Sequence, residues 1–299
     1  MTAAVVPLQD AERRPRRVAV GTFDGVHLGH REVIRGADTV VTFEPHPAVV
    51  LHPESPPRLL TSLQRKAAIC GELGVSEVVV IPFDGAFAMR SAADFADEVL
   101  VGALGATHVS VGENFHFGHR ATGKPATLAA DPRFETRIVP LLEIDGETVS
   151  SSHIRSLLVA DGDVRAAGRL LGGPFVLEGE VARGEERGRE LGFPTANLVP
   201  DPRFATPAHG IYACLANGVH AAAVSIGVRP TFDTKLGELV EAFLLDFSGD
   251  LYGTQLQLTF LERLRGELRF DSVDELVAQM ERDVQATREV VAARARAAA

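Results

Sequence analysis

The sequence predicts an α/β chain of two domains, in which an N-terminal domain with a parallel sheet precedes a C-terminal antiparallel barrel or sandwich that ends in a helix. Three observations lead to this prediction. The 299 residues correspond to about two domains, because one domain usually takes ~100–200 residues. The first half alternates short apolar runs with helix-like stretches, and the second half carries closely spaced strand-like runs that glycine interrupts.

Four short runs rich in β-branched residues predict the strands of the N-terminal sheet. They lie at residues 18–21, 40–43, 78–81 and 109–112. Helix-like stretches separate them, at 62–73 and 91–104. Buried β-branched runs that alternate with helices are typical of βαβ units and of a parallel sheet. The residues before Arg17 carry charges after a short apolar patch, and we expect them to be irregular.

Glycine and proline at residues 171–175 indicate a linker, so the predicted domains comprise residues 1–171 and 172–299. Helices are expected just before this linker, at 152–158 and 163–171. Strand-like runs follow it at 175–182, 210–215, 220–227, 239–247 and 255–264. Closely spaced strands with turn residues between them are typical of an antiparallel barrel or sandwich. Ser272 and Glu275 then have the spacing of a capping box and predict a final helix that packs on the barrel.

Composition excludes several classes of protein. The net charge of -10 argues against a general nucleic-acid binder, which needs a basic surface. Cys70 and Cys214 stand far apart, so a zinc ribbon or redox pair is not indicated, and both thiols are expected to be reduced. No apolar run is long enough for a membrane span, and the N-terminus lacks the pattern of a signal peptide. We therefore expect a cytoplasmic protein without a membrane or nucleic-acid partner, whose oligomeric state the sequence leaves open.

The sequence GTFDGVHLGH at residues 21–30 is the first candidate site. Gly21 ends a predicted strand and His27 begins a predicted helix, whose free N–H groups and dipole attract phosphate. Gly21 and Gly25 allow the backbone to approach a ligand closely. His27 and His30 are neighbours on one helix face and can donate hydrogen bonds to phosphate oxygens as charge builds in a transition state. A zinc-binding pair is the competing interpretation, but the spacing suggests no third ligand.

This segment resembles the first motif of the prokaryotic FAD synthetase family, which belongs to the nucleotidylyltransferase superfamily. Three further segments are similar to motifs of that family: TFEPHP at 42–47, VGENFHFG at 111–118 and SSSHIR at 150–155. They fall at predicted strand ends or helix starts, where ligands bind in open α/β sheets. The resemblance implies a Rossmann-like nucleotidylyltransferase domain that transfers AMP from ATP to FMN and releases pyrophosphate.

The resemblance also implies roles for individual residues of the first domain. Arg155 clamps the ATP phosphates, while Ser151 and Ser152 either donate to phosphate or only cap their helix. Because the phosphate of FMN is already an anion, His27, His30 and Arg155 act by positioning and charge neutralisation. The residues implied to bind ATP are Gly21, Phe23, Gly25, His27, His30, Ser151, Ser152 and Arg155. Those implied to line the flavin side are Phe43, His46 and Asn114, of which Asn114 contacts nucleotide or Mg²⁺.

The sequence GRELGFPTAN at residues 188–197 is the second candidate site, and it is very similar to the riboflavin kinase motif. Thr195 and Asn197 are two apart, so in extended backbone their side chains share one face. A hydroxyl and an amide oxygen suit Mg²⁺, although an ordinary turn could use the same residues. The kinase half lacks a Walker A lysine motif, so we expect the phosphates of ATP to meet the glycine-rich turn that includes Gly188 and Gly192.

Glu241 is the candidate base of the second site. Alternation along residues 239–247 places it on one face with Leu239 and Phe243. A carboxylate on an apolar face costs free energy unless it has a partner or a function, and a glutamate at a pocket mouth is the competing interpretation. The resemblance implies that Glu241 accepts the proton of the riboflavin 5′-hydroxyl and that Arg229 binds flavin.

The resemblance covers residues 17–290 and implies a bifunctional enzyme, which makes FMN from riboflavin and FAD from FMN with ATP as co-substrate and Mg²⁺ as cofactor. Two alternatives stay open. A single-activity riboflavin kinase with a weakened adenylyltransferase half is one, because the helix after His30 is short. A non-catalytic flavin-binding regulator is the other.

Overall fold

The computed structural model describes residues 1–183, 193–228 and 238–298. The chain forms two compact units, Met1–Ser151 and Ser152–Ala299. The helices between Ser152 and Leu171 therefore group with the second unit. The functional boundary at residue 171 stays a prediction.

The first unit is built on a six-stranded parallel sheet with the order β1-β4-β3-β2-β5-β6. Its strands are β1 (Ala4–Pro7), β2 (Arg16–Val20), β3 (Thr39–Glu44), β4 (Glu77–Pro82), β5 (Ala106–Gly112) and β6 (Glu135–Val139). The predicted parallel sheet is thus confirmed. From β2 the chain first adds strands on one side and later, with β5 and β6, on the other. The switch point lies between β2 and β5, where open α/β sheets bind ligands at the carboxyl ends of their strands.

Apolar residues bury both faces of this sheet, as expected for parallel strands that helices cover. Val18 and Val20 belong to a core cluster with Phe95 and other residues on one side. Ala19 belongs to a second cluster with Ile34 and others. The helices are α1 (Leu28–Ile34), α2 (Pro47–Leu51), α3 (Leu63–Glu72), α4 (Gly85–Ala88), α5 (Ala92–Asp94), which continues as a π-helix (Phe95–Ala103), and α6 (Pro125–Ala129).

The expectation of an irregular N-terminus is wrong for Ala4–Pro7, which forms β1 and pairs in parallel with β4. Backbone hydrogen bonds from Ala3 to Ala67 and from Ala4 to Ser76 continue this attachment. Only the edge of a preformed sheet supplies these partners, so the local sequence does not indicate the strand. A two-stranded hairpin, β7 (Glu143–Ile144) and β8 (Glu147–Thr148), is mostly polar and was also not predicted.

The second unit contains a closed antiparallel barrel with the order β10-β13-β12-β11-β14-β9. This closure decides between the barrel and the sandwich. The strands are β9 (Val176–Ala182), β10 (Ala196–Pro200), β11 (Gly210–Ala216), β12 (His220–Val228), β13 (Glu238–Leu244) and β14 (Gln255–Arg265). Before it, α7 (Ser151–Ser156) continues as a π-helix (Leu157–Asp161) and α8 (Val164–Leu171) follows.

The chain ends in α9 (Val273–Ala298), which packs on β11, β12 and β14 as predicted. The N–H of Glu275 donates to Ser272 Oγ at 3.2 Å, while the Glu275 carboxylate accepts from the N–H of Asp271. An ion pair between Arg265 Nη2 and Asp283 Oδ2, at 2.6 Å, attaches the helix to the barrel. Among all described residues, no helix has both the length and the apolar character needed to cross a membrane.

Candidate active sites

The first candidate site follows β2, at the switch point of the parallel sheet. Its turn contains positive φ angles at Phe23 (49°), Gly25 (87°) and Val26 (41°). Phe23 and Val26 pay a conformational cost there, because non-glycine residues seldom adopt this region. Their side chains are only 1% and 0% exposed, so burial fixes the turn despite its strain. The backbone that precedes the two histidines is therefore tightly defined.

His27 and His30 are packed against each other. His27 caps α1, since its Nδ1 accepts the N–H of His30 at 3.2 Å. The two rings stack with centroids 3.5 Å apart and planes inclined by 17°. Because Nδ1 of His27 accepts a hydrogen bond, a neutral His27 carries its proton on Nε2.

Both imidazoles are neutral at pH 7. Burial lowers the pKa of His27 to about 4. Burial also lowers the pKa of His30 well below its ordinary value, and positive charge on Lys66, or on His27 when it is protonated, lowers it further. The buried Nδ1 of His30 has no hydrogen-bond partner among the described residues, which is consistent with a ring that carries one proton. The pair can therefore donate to an anion as neutral N–H groups.

Lys66 lies beneath this turn and was missed by the sequence analysis. It belongs to α3 and is only 6% exposed. Its Nζ donates to the Thr22 carbonyl oxygen at 2.7 Å and to Thr42 Oγ1 at 3.0 Å. The Thr42 hydroxyl in turn donates to the same carbonyl at 3.0 Å. These contacts connect the first motif after β2 with the TFEPHP motif on β3.

Asp24 connects the first motif with two other segments. Its Oδ1 accepts the buried N–H of Leu60 at 2.7 Å, and its backbone oxygen accepts the Ser151 hydroxyl at 2.8 Å. Ser151 is the first residue of α7, and Ser152 and Arg155 lie on the same helix within the second unit. Ser151 thus serves the architecture of the turn, and neither Asp24 nor Lys66 was among the predicted site residues.

The predicted flavin-side residues lie near the carboxyl end of β3 and just after β3 and β5. Phe43 is 8% exposed, and His46 caps α2 by accepting the N–H of Ala48 at 3.1 Å. Asn114 is exposed after β5. A continuous cluster of aromatic rings surrounds Phe43 and was not predicted. Its further members are Phe83, Phe87, Phe95, Phe117 and Phe115.

The second candidate site lies on the outer face of the barrel. Asn197 on β10 is the direct cross-strand partner of Glu241 on β13, and Ser225 on β12 is the next partner in the same row. The alternate residues Val240 and Ala242 are 0% exposed and face the barrel interior. The face that Glu241 shares with Leu239 and Phe243 is therefore the outer one, and not the face that packs the core. Asn197 is nevertheless only 6% exposed.

Thr195 precedes β10 and is half-buried. Beside it, the ring of Phe193 meets Phe243 edge-on at 5.3 Å. The hydroxyl of Thr195 and the amide oxygen of Asn197 are hard donors, so this donor set fits Mg²⁺. Within the described part of the chain, no three His, Cys, Asp or Glu side chains come together as a metal site. Gly188, Gly192 and Arg229 lie outside the described residues.

Comparison with known proteins matches both halves of the chain. A family model described as FAD synthetase matches residues 9–153, and one described as riboflavin kinase matches residues 171–291. A protein from Listeria monocytogenes is 38% identical over 91% of each chain, and one from Pseudomonas fluorescens is 37% identical over 94% of each. A protein from Escherichia coli K12 is 35% identical over 91% of each chain. All three are described as bifunctional riboflavin kinase/FMN adenylyltransferases.

A solved structure extends the likeness to the fold. The protein, from Streptococcus pneumoniae, is described as a macrolide-efflux protein and is 33% identical. Its TM-score is 0.84, and the match covers 95% of this chain and 98% of that one. The same succession of folds thus occurs in both chains.

Proposed function

The chain belongs to the family of bifunctional riboflavin kinase/FMN adenylyltransferases, and from this premise we propose which residues carry the two reactions. The enzyme phosphorylates riboflavin to FMN and then adenylylates FMN to FAD, with ATP as co-substrate in both steps. The observation that carries this function is the match of the two family models, one after the other, within a single chain.

In the adenylyl transfer, a phosphate oxygen of FMN attacks the α-phosphorus of ATP, and the bond from that phosphorus to the bridging oxygen of pyrophosphate breaks. The nucleophile is already an anion, so the site needs no strong base. Nε2–H of His27 and an N–H of His30 donate to the phosphate oxygens, and they stabilise developing charge without gaining a proton. Arg155 supplies a positive charge. Gly21, Phe23 and Gly25 shape the turn that receives the triphosphate, and Ser151 holds this turn through its hydrogen bond to the Asp24 carbonyl. Ser152 is proposed to donate to phosphate.

Phe43, His46 and Asn114 line the flavin side of this site. The half-buried rings of Phe83, Phe87 and Phe115 support this assignment, since a planar apolar ring system packs well against aromatic side chains. Asn114 is exposed and can reach a polar group of either substrate.

In the kinase reaction, Glu241 accepts the proton of the riboflavin 5′-hydroxyl while that oxygen attacks the γ-phosphorus of ATP and ADP leaves. Thr195 and Asn197 would hold Mg²⁺, which when bound neutralises charge on the ATP phosphates. The cross-strand pairing of Asn197 with Glu241 supports this, because it brings a candidate ligand and the candidate base side by side. Gly188 and Gly192 are proposed to meet the phosphates and Arg229 to meet the flavin.

We propose a cytoplasmic location, because both reactions consume ATP. The test of the function supplies riboflavin or FMN separately with ATP and Mg²⁺. We expect FMN from the first and FAD from the second. FMN formation without FAD formation would favour the single-activity kinase, and tight flavin binding without turnover would favour the regulator.

A further inference from the structure

Lys66 is a charged side chain buried where the two first-domain motifs meet. Removing an ammonium group from water is expensive unless partners or a function compensate. Burial lowers the pKa of Lys66, and the carboxylates of Asp24 and Glu44 oppose this shift and favour the charged form. Cys70 also lies near, and burial raises the pKa of this thiol to about 11, so it is neutral.

The contacts of Lys66 form a closed triangle. Its ammonium, the Thr42 hydroxyl and the Thr22 carbonyl are joined by three hydrogen bonds of 2.7 to 3.0 Å. Thr22 stands directly before Phe23, whose positive φ begins the strained turn. The triangle therefore fixes the point from which the turn departs, and it couples that point to the end of β3.

The charge of Lys66 also acts on His30. The His27 ring stacks on the His30 ring and the Phe23 ring meets it edge-on. The charge of Lys66 adds to the effect of burial in lowering the pKa of His30. Protonation of His30 would add a second charge beside the ammonium and a buried N–H at Nδ1, which has no partner among the described residues. Lys66 and the enclosure of Nδ1 thus favour the same neutral state.

We propose that Lys66 is a positioning residue for adenylyl transfer, which holds the Thr22 carbonyl and the Thr42 hydroxyl and thereby fixes the turn that carries His27 and His30. The proposal rests on the proposed function of the first site. Lys66 acts through the turn and the histidine and does not itself touch the reacting atoms.

The test replaces Lys66 by methionine in the full-length protein, which preserves most of the side-chain volume and removes the charge. We expect FAD formation from FMN and ATP to fall roughly 10- to 100-fold, since a small misplacement of catalytic groups costs about that much. FMN formation from riboflavin in the same preparation should stay unchanged. Lys124→Met, at an exposed position of the same unit, is the matched control and should leave both activities intact.

A second readout separates this role from a merely structural one. The titration of His30 is followed by NMR of the histidine rings, and its resonance among those of the 10 histidines is identified by its loss in His30→Ala. In Lys66→Met the midpoint should move upward, and in Lys66→Arg, which keeps the charge, it should stay low. If Lys66→Met does not fold, Lys66→Gln, which keeps an N–H donor without charge, takes its place with the same expectation.

The outcomes separate the two proposals. Absence of FAD with the wild-type protein would contradict the proposed function itself. If the wild-type protein forms FAD and the uncharged variant forms it at the same rate, only the role of Lys66 would be contradicted. An unmoved His30 midpoint in that variant would do the same, because loss of structure alone then explains the lower rate.

Discussion

His27 combines two roles that substitution can separate. Its Nδ1 caps α1 by accepting the N–H of His30 at 3.2 Å, and its Nε2–H is the proposed donor to the ATP phosphates. His27→Ala removes both. His27→Asn restores a favourable cap, because an Asn side-chain oxygen accepts the same kind of hydrogen bond, but it lacks the ring nitrogen that reaches the phosphates.

The expected magnitudes differ between the two roles. A lost N-cap costs about 1 kcal/mol, which corresponds to roughly 2–4 °C in the unfolding temperature of a domain of this size. A lost donor to developing charge costs about 10²- to 10³-fold in kcat. Both variants should therefore lose FAD formation to this extent, while His27→Asn should be more stable than His27→Ala by about 1 kcal/mol.

The assay measures FAD formation from FMN and ATP, together with thermal unfolding of the same samples. FMN formation from riboflavin serves as the internal control and should be unaffected. If His27→Asn forms FAD at nearly the wild-type rate, His27 is a helix cap and not a phosphate donor. If the two variants have the same unfolding temperature, the helix cap formed by His27 does not contribute to the stability of the fold.

Three further predictions follow from the second site, the buried histidine and the C-terminal helix. Glu241→Gln keeps the shape of the side chain but cannot accept the proton, so FMN formation should fall about 10²- to 10⁴-fold. FAD formation from supplied FMN should be unchanged, and loss of both activities would contradict two separate sites. Burial lowers the pKa of His27 from 6.5 to about 4, so the folded state binds fewer protons than the unfolded state between these values. The stability that this group contributes is present above pH 6.5 and should fall by about 3 kcal/mol as the pH falls towards 4. Urea unfolding at both pH values should show a smaller loss of stability in His27→Asn than in the wild type, and an equal loss would refute the assignment. Asp283→Ala leaves the mostly buried Arg265 without its carboxylate and should lower the free energy of unfolding in urea by about 3 kcal/mol. Arg288→Ala breaks the exposed pair with Asp246 and should change this free energy little. The opposite order of the two effects would be inconsistent with this attachment of the helix.

Strong local patterns explain which parts of the fold the sequence predicts. Runs such as Val18–Val20 and Val78–Val79 are buried strands whose β-branched composition is visible without any partner. β1, β6 and β10 were not predicted. β1 and β6 are the two edge strands of the parallel sheet, and β10 contains both Asn197 and Pro200. The choice of barrel over sandwich depends on the pairing of β9 with β14 and β10, which is long-range and leaves no trace in local periodicity.

The candidate sites show the same division. The motifs around His27, Asn197 and Glu241 predict chemistry because their residue types and spacing are unusual. Lys66 looks like any charged residue of an amphipathic helix, and its contacts with Thr22 and Thr42 span 44 and 24 residues. The neutral state of the histidines depends on burial that only the folded chain creates. The apolar face expected for Glu241 is the outer face of the barrel, because alternation alone does not tell which face is inside.

One product analysis tests the central claim most directly. The purified full-length protein is incubated with riboflavin, ATP and Mg²⁺, and the flavins are separated by chromatography at successive times. The two-site account predicts that FMN forms first and that FAD then accumulates at its expense, with one ADP and one pyrophosphate released for each FAD. FMN that accumulates without FAD, or riboflavin that persists unchanged, would contradict it.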